Sequence, residues 1–175
     1  TPFFTSYLVR VYTWQTVLYD NGAVNVVFSY VGLGPFEFLN TLFGTLVGYL
    51  TLTLPLVILL QYFSMSNIDR NLIEAAHNLG CGRLRTVFMV ILPSAKTGII
   101  LAGTFAFILC FGDLVSPTFL GGGKPQTLSI LIVDSVKQGN QWPRAAVVAV
   151  VMVLTLIVVA FTALYFAYGV KKSKT

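Results

Sequence analysis

Residues 74–93 read Glu74-Ala75-Ala76-His77-Asn78-Leu79-Gly80-Cys81-Gly82-Arg83-Leu84-Arg85-Thr86-Val87-Phe88-Met89-Val90-Ile91-Leu92-Pro93. This polar, amphipathic stretch lies between two runs too apolar for water. Residues 38–68 before it and Thr97–Gly112 after it carry no charge. Upstream, either Ser66 or Asp69 is placed to cap a helix through about Leu79. Ile68, Leu72, Ala75, Ala76 and Leu79 make one apolar face of that helix, with Arg70, Asn71, Glu74 and Asn78 mostly elsewhere. Gly80 supplies the left-handed position that ends the helix, and Gly82 frees the next turn. Leu84, Val87, Phe88, Ile91 and Leu92 form the stripe of a second helix, which Pro93 is expected to break before the chain re-enters the apolar phase.

The chain as a whole fits that picture. Of its 175 residues, 56% are hydrophobic and 10% charged, against about 25% charged in soluble domains, and its mean hydropathy is +0.82. This is the composition of an integral membrane protein, and the spans read below make it all-α. About 20 residues at 1.5 Å each cross a ~30 Å hydrocarbon core. Thr41–Phe63 is the first predicted span, with Pro55 inside it and Gly44 and Gly48 at a spacing that permits close helix contact. The second begins at Thr97 and, being short, is expected to continue past Asp113 to Pro117. The third is Ala145–Val170, bounded by Arg144 and Lys171. The resulting division is 1–40 interfacial helices, 41–63 span, 64–96 polar connector, 97–117 span, 118–143 loop with a short helix opened by Pro125, 144–170 span and 171–175 tail. No signal-peptide pattern opens the chain at Thr1, which reads as a cut through a longer polypeptide.

The net charge of +5 reads as topology rather than as a nucleic-acid footprint. Arg70, Arg83, Arg85, Lys96, Lys171, Lys172 and Lys174 fall on the side of the connector and C-terminus. Only Arg10, Lys124, Lys137 and Arg144 fall on the other. The inside-positive rule therefore places the connector and the C-terminal tail in the cytoplasm. Residues 1–36 show Phe4, Tyr7, Leu8, Val11, Trp14 and Leu18 at helical spacing, an Asp20-Asn21-Gly22 turn, and a second piece with Val24, Val27, Phe28 and Val31 ended by Gly32-Leu33-Gly34-Pro35. This is an outer interfacial pair of helices, or else residues 1–14 are the frayed end of an earlier span.

Catalysis finds no support. There is no nucleophile–base pair, Cys81 and Cys110 sit in different environments, and two separated cysteines with His77 cannot make a metal site. Gly121-Gly122-Gly123 lacks the Lys-Ser/Thr that a phosphate loop needs. Asp113 lies about 24 Å along a helix from Thr97, near the outer rim of the core. Asp134 interrupts the apolar run Leu128–Val136. Acids at such depths are candidate solute contacts, with a hydrated helix end as the competing reading.

The spacing Glu74-Ala75-Ala76, Gly80, Val90, Leu92-Pro93 resembles the signature loop of membrane subunits of binding-protein-dependent ABC importers, with Val90 where the family usually has Ile. Pro2-Phe3-Phe4-Thr5-Ser6-Tyr7-Leu8-Val9-Arg10, Pro117-Thr118-Phe119-Leu120-Gly121-Gly122 and Trp142-Pro143-Arg144-Ala145-Ala146 resemble the spermidine/putrescine-type branch. The resemblance covers essentially the whole chain. It implies a type I importer permease (MetI-like) fold, of which these would be the last three of six spans, in a bacterial inner membrane. It further implies that Glu74, Ala75, Ala76, Gly80, Leu92 and Pro93 couple to cytoplasmic ATP-binding subunits, with ATP and Mg on those partners and no cofactor on this chain. The expected partners are those ATPases, a second permease subunit, a periplasmic or lipid-anchored solute-binding protein and membrane lipids, but no nucleic acid. Polyamine transport is the expected activity. A secondary transporter would want acids or histidine at mid-span, which this chain lacks. A non-transporting scaffold would leave no ATPase to be recovered with it.

Overall fold

The charge-free runs become the long helices, because a backbone in an apolar phase must satisfy its own hydrogen bonds. The computed structural model describes residues 6–30, 32, 36–123, 127–137 and 141–168. The expectations placed on Pro2–Thr5, Val31, Leu33-Gly34-Pro35, Lys124, Pro125, Val170 and the Lys171, Lys172 and Lys174 cluster lie outside the described residues. Ten α-helices follow in order among them: α1 Tyr7–Leu18, α2 Ala23–Tyr30, α3 Leu42–Ser66, α4 Arg70–Asn78, α5 Arg83–Thr86, α6 Leu92–Ser94, α7 Lys96–Gly112, α8 Val115–Phe119, α9 Leu128–Lys137 and α10 Trp142–Tyr168. A π-helical turn, Val87–Ile91, joins α5 to α6. Helices α3 and α10, with 25 and 27 residues, are long and apolar enough to cross a membrane. Arg83–Ser94 and Lys96–Gly112 reach that length and hydropathy only when taken together, across a bend of 67°.

Two expectations about helix ends are corrected. Helix α7 stops at Gly112 instead of running on to Pro117. The Asp113 carboxylate takes the backbone N–H groups of Val115 at 3.0 Å and Ser116 at 3.1 Å, so it starts a new helix rather than extending the old one. Nor does Pro93 break the second connector helix. It lies inside α6, and the chain turns at Ala95. The π turn just before it accommodates the proline. The Leu92 N–H reaches back five residues to the Val87 carbonyl, a widened register that relieves the clash a proline makes with the preceding turn.

The chain divides into two compact units. The first holds residues 1–55 and 108–155. Its interior is built around Val11 and Leu18 of α1 and around Ser116, Pro117 and Leu120. Val11 and Leu18 belong to the expected stripe of α1, whereas Leu8 and Trp14 are exposed. In α2 the expected valine stripe is not what is buried. Val27 is exposed, and the buried residue is Asn25. Its carboxamide donates to the Phe36 carbonyl and accepts from the Phe36 N–H, each at 3.0 Å. This clamps the turn and gathers Phe28, Phe36 and Phe38, with ring centroids 5.3–6.0 Å apart. The Asp20-Asn21-Gly22 turn is closed by Gly22 N–H to the Tyr19 carbonyl at 2.7 Å.

Gly44 and Gly48 do mark a close contact, and its partner is the α8 segment. A Cβ on Gly44 would lie 2.6 Å from the Leu120 carbonyl oxygen, and one on Gly48 would lie 2.6 Å from the Ser116 Cβ. The glycine triplet folds back on α8 as well. The N–H of Gly121 bonds to the Ser116 carbonyl and that of Gly123 to the Pro117 carbonyl, so neither is aimed at an external anion.

The second unit holds residues 56–107 and 156–175. Gly98 of α7 rests directly on Ser64 of α3, whose hydroxyl donates to the Ala95 carbonyl at 3.4 Å. Ala95 and Ala102 are the most deeply buried side chains there.

Candidate functional site

The connector is a hairpin whose turns are fastened by side chains and glycine. The Asp69 carboxylate caps α4 by accepting from the Asn71 N–H at 2.9 Å. Ser66 instead closes α3, donating to the Phe63 carbonyl. At the other end Gly80 takes φ +78°. The Gly80 N–H bonds to the His77 carbonyl at 2.9 Å, and the Cys81 N–H to the Ala76 carbonyl at 3.0 Å. That pair of bonds is the Schellman closure, which satisfies carbonyls left over at a helix end. Gly82 then starts α5.

Helix α4 packs on α5 and on the π turn. Ala76 is the buried residue of α4 and Thr86 that of α5. Ala76 therefore spends its small side chain inside the hairpin, where the two pieces must approach each other. Glu74, Ala75, His77 and Gly80 are exposed. So are Leu72, Leu79, Leu84, Val87, Phe88, Met89 and Leu92, with Leu79 at 84% and Leu84 at 76%. Exposed apolar side chains in such number are found where a protein meets another protein or a membrane. Leu92 and Pro93 lie at the end of the hairpin, both exposed, and do not join Glu74 in one cluster by any contact described.

In the first unit the other sequence-predicted residues part company. Asp113 is 8% exposed. Besides its two backbone donors it accepts from the Tyr7 hydroxyl at 2.6 Å. The Tyr7 hydroxyl also hydrogen-bonds the Ser116 Oγ. Burial first, then the bond to Asp113, push the Tyr7 phenol well above its usual range, so it stays a donor at any physiological pH. Asp113 is thus committed to protein partners that fasten α1 and α8. Asp134 lies partly buried on α9, whose Ser129, Ile130 and Ser135 are buried. Sequence reasoning passes over Asn25 and Ser116 and sees Tyr7 only as part of an apolar stripe, yet their hydrogen bonds hold this unit together. The partners lie up to 109 residues away, beyond any periodic signal. Among the described residues no group of three or more His, Cys, Asp or Glu is placed to hold a metal ion.

The family described as the binding-protein-dependent transport system inner membrane component is matched over residues 4–170. The chain belongs to this family. This permease-family chain is similar to the spermidine/putrescine transport system permease protein PotB of Haemophilus influenzae, 28% identical over 162 residues, which are 91% of the chain and 57% of that relative. It is similar also to the inner membrane ABC transporter permease protein YdcU of Escherichia coli K12, 28% identical over 180 residues, covering 95% of the chain and 55% of the relative. It thus spans little more than half the length of these relatives. Among solved structures it resembles a chain of a bacterial alginate ABC transporter in complex with a pentasaccharide-bound periplasmic protein. The TM-score is 0.78 at 16% identity over 99% of this chain and 64% of that one. At that identity the likeness carries the permease fold alone.

Proposed function

We propose that this chain is part of the permease subunit of a binding-protein-dependent ABC importer for polyamines, powered through residues 68–93. The observation that carries the coupling role is the connector. It is a capped, Schellman-closed helix with Glu74 exposed on it and a run of uncovered apolar side chains around it. Separate cytoplasmic ATP-binding subunits cover that surface. Glu74 makes the polar contact, Ala75 allows close approach, Gly80 sets the end of the docking helix, and Leu92 and Pro93 carry the movement toward α7. Ala76 acts from inside the hairpin by keeping its two arms close. A second permease subunit completes the path, a periplasmic or lipid-anchored binding protein delivers the solute, and the C-terminal tail is cytoplasmic. ATP and Mg are bound by the ATPase partners. Alternating access then follows from rocking of packed helices around a membrane cavity.

The polyamine assignment rests on the name of the PotB relatives. Their solute is cationic, so an acid on the route is expected to matter. Asp134 is the proposed solute contact, and Asp113 holds α1 to the start of α8. Uptake of labelled spermidine and putrescine by cells carrying the intact transporter tests both parts. Glu74→Ala is expected to lower uptake while the complex stays in the membrane, and to weaken recovery of the ATPase with it. Asp134→Asn is expected to raise the apparent KM with ATPase recovery unchanged. Normal uptake in Glu74→Ala would reject the coupling role. Uptake of a phosphonate or sugar in place of polyamine would reject the solute alone.

A further inference from the structure

Arg10 is the one charge on α1, and it does not sit as a surface charge. It is half-buried in the first unit, and its Nη1 donates to the Thr51 carbonyl at 2.9 Å. Its Nε is buried with no partner among the described residues. Thr51 stands four residues before Pro55, the proline inside α3. A helical carbonyl is normally taken by the N–H four residues on, and proline has none. The carbonyl that Pro55 leaves open is therefore the one Arg10 fills. In an apolar phase such a vacancy must be satisfied by a neighbour, and buried arginines in membrane helices characteristically pair with backbone carbonyls. The guanidinium lies 6.0 Å from the Tyr7 ring centroid, and Tyr7 fastens the same helix turn to Asp113 and Ser116. Helix α1 is thus held at two points one turn apart, to the proline site of α3 and to the start of α8.

We propose that Arg10 is a positioning residue for transport. It supplies the hydrogen bond that Pro55 removes from α3, and so holds that helix in one arrangement of the transport cycle. A backbone bond at Thr51 would be permanent, whereas a side chain from another helix can be withdrawn when α3 reorients. The transport part of this proposal rests on the permease reading above; the bond itself does not.

The test is a double-mutant cycle in the full transporter with its ATPase. Arg10→Met and Pro55→Ala are made singly and together, and the purified complex is melted without solute. Arg10→Met is expected to lower the melting midpoint by about 4 °C with Pro55 present. In the Pro55→Ala background it is expected to leave the midpoint nearly unchanged, because the backbone N–H restored there covers the Thr51 carbonyl. Arg10→Lys, which keeps a cationic donor, recovers part of the loss. Equal drops in both backgrounds would overturn the assignment. If Arg10→Met does not accumulate, Arg10→Leu, which likewise carries no donor, makes the same comparison. In uptake assays Arg10→Met is expected to lower the maximal rate about tenfold while the apparent KM stays put, since Arg10 does not touch solute. A coupled melting cycle with unimpaired uptake would keep the bond and reject its role in transport. Failure of polyamine uptake in the parent protein would bear on the proposed solute and leave the melting result standing.

Discussion

At the scale of single residues, the connector and the outer turn differ in how openly they are written. Gly80 was legible because a glycine directly after an apolar helix face has one common use, the left-handed stop, and its φ of +78° shows that use. Any β-carbon at that angle is strained by about 1–2 kcal/mol. Gly80→Val is therefore expected to uncouple ATP hydrolysis from uptake while Gly82→Ala, at φ −66°, is tolerated. Parallel ATPase and uptake assays on the two variants check this. Asn25 was illegible. An asparagine among valines looks like a solvated position, and only the return of the chain at Phe36 reveals that both its amide atoms are used. Asn25→Ala removes both partners of the Phe36 backbone groups in a part-buried turn, so a loss of about 1–2 kcal/mol is expected, read as a lowered melting midpoint. Asp113 shows a third case. Its distance along the sequence left a solute contact and a hydrated helix end both open, and the structure buries it. Its partners were not legible, since Tyr7 lies 106 residues away.

At the scale of elements, hydropathy located the long helices, and their ends were set by side chains competing for backbone groups. Ser66 and Asp69 were equally good caps in sequence. The structure separates them, because Ser66 is still inside α3 and turns back to Phe63, leaving Asp69 to start α4. Asp69→Ala is expected to weaken α4 by about 1 kcal/mol and Ser66→Ala hardly at all. Hydrogen exchange of the first-turn amides of α4 measures the difference. The same competition ends α7, where Asp113 captures the N–H groups of Val115 and Ser116. A reading by apolar run length sees no such event, since Leu114, Val115 and Pro117 continue the hydrophobic pattern.

At the scale of the whole molecule, the family and the apolar helices were both readable, because they depend on composition and on a long, spaced pattern. Of the interior contacts, the close approach at Gly44 and Gly48 was marked by their spacing, but their partners were not, because glycines and serines met across the fold carry no hydropathy signal. Gly98 against Ser64 is one such contact. The proposed topology has a direct readout in the two cysteines, Cys81 in the connector and Cys110 within α7. A membrane-impermeant maleimide is expected to label Cys81 only after the cytoplasmic face is opened, and to leave Cys110 unlabelled on either side. Labelling of Cys81 in intact cells would reverse the orientation.

The π turn at Val87–Ile91 has a consequence for how this connector is aimed. A π turn holds one residue more than the α-helical turn it replaces. Each residue of an α-helix advances the side chains by about 100° around its axis. Removing one residue within 87–91 would let the helix close in ordinary register, and everything before it would rotate by that angle relative to α7. Arg83, Leu84 and the α4 helix beyond them would then face a different quarter of the compass, with every residue of the proposed docking surface still present. The extra residue thus works as a bearing setting, fixing the direction in which the hairpin presents itself independently of what it presents.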